Sequence, residues 1–409
     1  MRWYKVGAGP GVPMVSAEDS RRLTRGSRTS SSMSTRSHAS IDAVLAGRDH
    51  RLDLFRGLSL WFVFLEQTPP ADLPLTTLRA DKFSVAIAIF LLLFGYTAGL
   101  VYGRIMREQG LYLATAKILR RAWQVYVAQV LLFVFHIIQI DFMSRGNPGL
   151  AELTNLTVFV AHPFMGLFHG MFLDYQPFGT EVLALYIVLL VGFVPMLWLL
   201  LRTPVLALAA GVLLYLLARK NGWNLPAYPT GVWPLNPFTW QLLFVVGAWF
   251  GLGQIRGLER VLIPKTTPIL AALYLVLALV VWTGARVPAL GAFLPGWLND
   301  VVQPSSPTDL DGVVLLHVVS IVVVALWLVP ADWTAVDAPA LRPVLLCGRY
   351  PLATLCFGVF LAFASRSLFV LSNVRATHIA FLLVGIALMA ALALFLAWIE
   401  TVTHQPTGA

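Results

Sequence analysis

The sequence predicts an all-α fold, a polytopic membrane helix bundle of about ten transmembrane helices. Three observations lead there. Across 409 residues, 58% are apolar and only 12% are charged, whereas a soluble globular chain carries about 25% charge. Mean hydropathy is +0.76, so most of the chain has no water-compatible cover. The apolar residues also fall into runs close to the ~20 that cross a hydrocarbon core as a helix, and the connections between them alternate in basic charge.

In chain order, residues 1–47 are expected as a flexible basic cytoplasmic tail. The stretch Ser27-Arg28-Thr29-Ser30-Ser31-Ser32 buries too little to order itself. The ten spans follow at 52–69, 83–102, 118–140, 181–201, 204–219, 238–255, 266–284, 310–330, 350–366 and 377–399 within a transmembrane domain of 48–400. Those at 204–219 and 350–366 are short and read as tilted or re-entrant. Residues 401–409 form a short cytoplasmic tail. No basic-then-apolar signal peptide stands at the start, so the first span is expected to direct its own insertion.

Charge sets the orientation. Residues 1–51 hold nine Lys/Arg against four Asp/Glu, and 103–121 carries Arg104, Arg107, Lys117, Arg120 and Arg121 against Glu108 alone. Residues 256–265 have Arg256, Arg260 and Lys265 against Glu259, while 141–180 and 285–309 are poorer in base. Positive residues accumulate inside, which places both termini in the cytoplasm. Arg219 and Lys220 fall on the external side as exceptions. The net charge of +9 therefore belongs to topology and anionic lipid rather than to nucleic acid.

Other chemistries are thinly supported. Cys347 and Cys356 make neither a disulfide framework nor a thiolate metal cage, and no phosphate loop, nucleophile elbow or zincin motif occurs. His136 with Asp141 and His169 with Asp174 share a His-x4-Asp spacing that reads as coincidence on the external side, and His317 reads as an interior histidine. The external segments are rich in aromatics, among them Trp223, Tyr228 and Trp233. Such residues anchor bundles at the interface or stack on carbohydrate.

Residues 49–58, Asp49-His50-Arg51-Leu52-Asp53-Leu54-Phe55-Arg56-Gly57-Leu58, lead straight into the first span. Phe90, Gly95-Tyr96-Thr97-Ala98-Gly99-Leu100, Tyr102-Gly103, Arg120-Arg121-Ala122 with Tyr126, Gln176-Pro177 and 236–251 from Asn236-Pro237-Phe238-Thr239-Trp240-Gln241 continue the pattern. In order and spacing, from about 48 to 370, the chain resembles the OpgC family, a branch of membrane acyltransferase-3-like proteins. The resemblance implies a multi-pass protein of the bacterial inner membrane that transfers succinyl, or another acyl group, from cytosolic succinyl-CoA or a related acyl-CoA co-substrate to periplasmic glucans. No bound cofactor is implied. The lipid bilayer, the glucan and glucan biosynthesis proteins are the implied partners.

This chain departs from the family pattern where protons move. Gln67 and Gln129 stand where the family places histidines, Val85 and Ala88 stand for two carboxylates, and Phe94 replaces a serine. Imidazole suits general-base work near neutral pH, but a glutamine amide does not titrate. Glu66, Gln67 and Gln129 are thus the catalytic candidates: Glu66 as substitute base or as an ion-paired carboxylate at the external boundary, the glutamines as acceptor-positioning groups or as interhelical glue worth about 0.6 kcal/mol each. Arg56, Arg120 and Arg121 are the expected donor clamp, because guanidinium forks match phosphate geometry, with Asp53 as support on the same helical face. Glu181, Trp240 and Gln241 are expected on the acceptor side, or as interface anchors. A catalytically degenerate glucan-binding relative and a transporter or flippase are the alternatives.

Overall fold

The computed structural model describes residues 50–68, 85–143, 155–253, 266–286, 306, 308–330, 333–371 and 374–403. The expected tail at 1–47, residues 404–409 of the expected tail at 401–409 and the basic connection at 256–265 lie outside the described residues, while residues 401–403 are helical. Twelve α-helices run in order: α1 (His50–Gln67), α2 (Val85–Met143), α3 (Thr157–Ala161), α4 (Pro163–Met171), α5 (Glu181–Arg202), α6 (Pro204–Asn221), α7 (Pro237–Gly251), α8 (Thr266–Arg286), α9 (Gly312–Leu328), α10 (Arg342–Arg349), α11 (Pro351–Leu371) and α12 (Arg375–Thr403). No strand occurs among the described residues. Residues 47–397 form one compact unit.

Helix ends follow local chemistry. Proline opens α4, α6 and α7, where its missing N–H costs nothing. The Asn236 side chain accepts from Phe238 N–H at 3.0 Å, and that of Asp311 from Val313 N–H at 3.3 Å. Gly222 ends α6 in the left-handed conformation at φ 66°.

The long helix α2 is two limbs. Gly110 interrupts it with φ 87° and ψ 172°, and residues on either side of the break come together. Tyr102 and Arg121 would stand about 28 Å apart along one continuous helix at 1.5 Å per residue, yet they are within electrostatic reach of each other. Lys117 donates to Gln109 Oε1 at 3.1 Å across the same break. The chain therefore doubles back at Gly110, and the two expected spans at 83–102 and 118–140 are limbs of a helical hairpin.

The helix lengths of the described residues do not confirm the expected ten spans. Among the described residues, four helices are long and apolar enough to cross a membrane: Val85–Ile140, Glu181–Arg202, Pro204–Asn221 and Ala376–Thr403. A fifth is gained if Pro339–Arg349 and Pro351–Arg366, bent by 93°, count as one span. Two of the others fall short for physical reasons: α1 carries Arg51, Asp53, Arg56 and Glu66 within 18 residues, and α9 has only 17 residues. Leu270 and Leu383, each about two-thirds exposed, present α8 and α12 outward as lipid-facing helices would.

Lipid tails are as apolar as leucine, so helices in a bilayer associate through close packing of small residues. Two such crossings organise this bundle. A Cβ on Gly95 or Gly99 would lie 2.1 Å from the backbone oxygen of Phe244 or Ala248, and one on Gly247 or Gly251 would meet the Leu92 or Tyr96 oxygen at 2.1 or 2.0 Å. The first limb of α2 and α7 thus touch backbone to backbone. At the second crossing Gly57 lies against the Val344 carbonyl and Gly348 against that of Asp53, seating α10 on α1.

Arg219, an exception to the inside-positive pattern, has local partners. Its guanidinium donates to the Leu310 carbonyl at 3.2 Å and to the Tyr215 hydroxyl at 3.1 Å, and stands 3.7 Å from Asp311. It ties the end of α6 to the start of α9.

These contacts predict a contrast. Gly99→Val should lower the melting temperature of the detergent-solubilised protein, by an overpacking cost of about 1–3 kcal/mol or more. Gly192→Ala, where a Cβ meets nothing within 4 Å, should be neutral or slightly stabilising. Equal melting temperatures for the two variants would contradict the backbone-contact account.

Candidate functional site

The crossing of α1 and α10 buries charge. Asp53 is fully buried and Arg56 is 5% exposed, and the Arg56 guanidinium donates to Asp53 Oδ1 three residues back on the same face. It also reaches the Leu52 carbonyl at 3.4 Å. The pair reads from sequence equally as an exposed anchor. Gly57 and Gly348 bring α10 down over it and close it from solvent.

Arg121 enters the same interior from the second limb of α2. It lies within electrostatic reach of Tyr186 on α5, Tyr102 on the first limb and Cys356 on α11, while Arg56 reaches Tyr186 from α1. Phe94 stacks on Tyr186 with ring centroids 4.5 Å apart. Three helical segments, α1 and both limbs of α2, thus converge on Tyr186 of α5. Arg120 takes no part: it is exposed, one residue and about 100° of helix away from Arg121. Of the three arginines expected in a clamp, two come together. Among the described residues no carboxylate pairs with Arg121, whose guanidinium donates to Gln124 Oε1 at 3.3 Å and also hydrogen-bonds the Tyr186 side chain.

Glutamines occupy the other interior positions. Gln67, 5% exposed, ends α1 with both amide atoms buried and without a hydrogen-bond partner. Its Oε1 is 3.5 Å from where a Cβ of Gly179 would sit. Gln129, 2% exposed, has a buried and unpartnered Oε1. Both therefore face the interior rather than lipid. Val85 opens α2 and Ala88 is fully buried nearby in sequence. Glu66 Oε1 accepts from the Ala86 N–H at 3.2 Å, so this carboxylate satisfies a donor at the open start of α2.

On the expected acceptor side the residues divide. The Glu181 carboxylate accepts from its own N–H and that of Gly179, with Arg366 in electrostatic reach. The Arg366 guanidinium lies 3.3 Å over the Phe178 ring. Trp240 is buried, and its indole N–H donates to the Thr308 carbonyl at 2.9 Å. Gln241 Nε2 donates to the Gly211 carbonyl at 2.7 Å. These last two side chains hold α7 to its neighbours, as anchors do.

Three histidines complete the picture. His136 is buried and stacked on Phe363 at 4.3 Å, whereas Asp141 has no described side chain. His317 Nδ1 lies 2.8 Å from the Tyr274 hydroxyl and 2.9 Å from the Val313 carbonyl. His169 Nδ1 is 2.8 Å from Asp174 Oδ2, so one of the two His-x4-Asp spacings is a formed pair. No group of three or more His, Cys, Asp or Glu able to hold a metal ion occurs among the described residues.

The sequence profile of the OpgC protein family matches residues 48–401. The chain belongs to the OpgC family. No curated protein and no solved structure matches it. In this OpgC protein the matched region contains every element described above except the last residues of α12. Tyr186, Arg366 and the His169–Asp174 pair are the interior and mouth residues that spacing alone did not single out as a site. Tyr186 stood within the family pattern, but its burial beside two guanidiniums depends on packing.

The buried pair gives a direct test. Asp53→Asn should destabilise the protein by about 3–5 kcal/mol, because it leaves the Arg56 charge buried without its counter-ion. Asp53→Asn combined with Arg56→Gln should recover part of that loss in a thermal melt. A double variant no more stable than Asp53→Asn alone would refute the pairing.

Proposed function

We propose that this OpgC protein transfers succinyl, or a related acyl group, from a cytosolic acyl-CoA to a periplasmic glucan. In this reading it is a multi-pass protein of the bacterial inner membrane with both termini in the cytoplasm. The observation that carries the proposal is the half-buried Arg121 guanidinium beside Tyr186, with Arg56 within electrostatic reach of the same tyrosine and no carboxylate paired with Arg121 among the described residues. A charge held inside a helix bundle without a counter-ion is costly, and marks a ligand pathway by default. An anionic donor supplies the missing charge: guanidinium forks bind phosphate and carboxylate alike, and an acyl-CoA of the succinyl type carries both. The interior tyrosine then stands as a hydrogen-bonding group beside that anion.

The reaction takes a proton from a sugar hydroxyl as its oxygen attacks the thioester carbonyl and the carbon–sulfur bond breaks. The expected test is transfer of labelled succinyl from succinyl-CoA to purified periplasmic glucan by the protein in proteoliposomes. Arg121→Gln should raise the donor KM by about tenfold or more, the scale of one charge-assisted hydrogen bond, with little change in the glucan KM. Absence of transfer with succinyl-CoA and with acetyl-CoA would reject the reading.

A second reading, a degenerate relative that binds glucan without acylating it, is favoured by Gln67, whose buried amide has no partner and cannot titrate. The two readings part on reversion. If the scaffold is degenerate, Gln67→His with Gln129→His should give little activity alone. Adding Val85→Asp and Ala88→Glu should give measurable activity, since a histidine base usually needs an orienting carboxylate. Wild-type transfer that the histidine changes leave untouched would end the degenerate reading.

A further inference from the structure

The external segment between α2 and α5 contains a histidine held by a carboxylate that the account so far leaves unused. His169 lies near the end of α4, and Asp174 follows in the loop. Nδ1 of His169 is 2.8 Å from Asp174 Oδ2, with the two side chains 22% and 33% exposed. The other carboxylate oxygen, Oδ1, is buried without a hydrogen-bond partner. Oδ2 is thus the carboxylate oxygen that meets the imidazole. With Nδ1 committed to the carboxylate, Nε2 is the nitrogen presented to a ligand, which is the geometry of a base whose tautomer is fixed by its partner.

The surroundings hold this pair rigidly. Tyr228, from the loop between α6 and α7, stacks on the His169 ring at 3.6 Å and 7°, and its N–H donates to the Asp174 carbonyl at 2.8 Å. Leu173 sits in the left-handed region at φ 66°, as does Asn155 at φ 54°. Such backbone costs about 1–3 kcal/mol for a non-glycine residue and persists only where the surroundings over-determine it. Asn155 is fixed by donating to the Gln176 carbonyl at 2.8 Å and accepting from the Tyr175 hydroxyl at 2.7 Å. Phe168 and Phe172, with ring centroids 4.8 Å apart, lie exposed beside the pair and offer faces on which a sugar ring can stack. The run from Asp174 to Gly179, no more than about 18 Å even if fully extended, joins this pair to the Gln67 amide.

We propose that His169, oriented by Asp174 and roofed by Tyr228, is the general base that takes the proton of the acceptor hydroxyl. It would supply the proton-accepting group that Gln67 and Gln129 cannot provide. The inference rests on the acyl-transfer reading above and adds the site at which the acceptor is activated. In the step, the glucan O–H proton passes to His169 Nε2 while the glucan oxygen bonds to the carbonyl carbon of an acyl thioester. The carbon–sulfur bond breaks, and the leaving thiolate takes the proton from the imidazolium. Asp174 stabilises the imidazolium in between and does not exchange a proton itself.

The test is succinyl transfer in proteoliposomes by wild type, His169→Ala, Asp174→Asn and His162→Asn, with succinyl-CoA and purified glucan. His169→Ala should lower kcat by about 10²–10⁴-fold, the usual contribution of a placed base, with the glucan KM changed less than about threefold. Added imidazole should restore part of that rate, which a purely structural histidine would not allow. Asp174→Asn, nearly isosteric, should lower kcat by at least about tenfold with an unchanged melting temperature, and His162→Asn should match wild type. Wild-type kcat in either His169→Ala or Asp174→Asn overturns the inference while leaving the acyl-transfer reading in place. If His169→Ala fails to fold, Asp174→Asn decides alone. No transfer by wild type removes both.

Discussion

Backbone meets backbone where Gly95 and Gly99 face Phe244 and Ala248, and where Gly247 and Gly251 face Leu92 and Tyr96. The interior is laid out from that contact. It fixes the first limb of α2 against α7, so that Phe94 falls on Tyr186 and Tyr186 is turned toward the polar interior. Folding at Gly110 then returns the second limb alongside, which is what lets Arg121 reach across to Tyr102 and Tyr186. Side chains larger than hydrogen at these crossings would separate the helices by ångströms, and every interior distance would grow with them.

The smaller crossing of Gly57 and Gly348 has the matching consequence for charge. Burying Arg56 is tolerable because Asp53 is buried with it, and because the guanidinium also meets a helix carbonyl. Desolvating two ions costs several kcal/mol each, which their attraction offsets only when the geometry is good. Arg121, half-buried, has no carboxylate partner among the described residues. Elsewhere the polar character is that of amides and a histidine: buried Gln67 and Gln129, and the half-buried His169–Asp174 pair.

Much of this was legible in the residues. Composition and charge alternation were enough for a helical membrane bundle, and motif order was enough for the family. The number of crossing helices was less legible, because hydropathy does not weigh the break at Gly110 or the four charged residues that α1 carries. Burial was the other gap. Asp53 and Arg56 at three-residue spacing look the same whether exposed or covered, and only the position of α10 decides. Arg120 and Arg121 are adjacent and identical in type, yet one is exposed and the other half-buried. Sequence distance misled in the opposite sense at His169 and Asp174, where a common spacing became a hydrogen bond because Tyr228 and the strained turn at Leu173 hold it.

The central claim is that Arg121, half-buried and with no carboxylate partner among the described residues, serves an anionic donor. It is tested most directly by thermal melts of the purified protein with and without succinyl-CoA, comparing wild type with Arg121→Gln. A ligand that binds only the folded state stabilises it by about 2.7 kcal/mol at a hundredfold excess over Kd, so wild type should melt higher when succinyl-CoA is present. The account predicts that Arg121→Gln melts at or above wild type without ligand, having lost an uncompensated charge, and no longer responds to succinyl-CoA. A variant that is less stable than wild type on its own, and still stabilised by succinyl-CoA to the same extent, would contradict it.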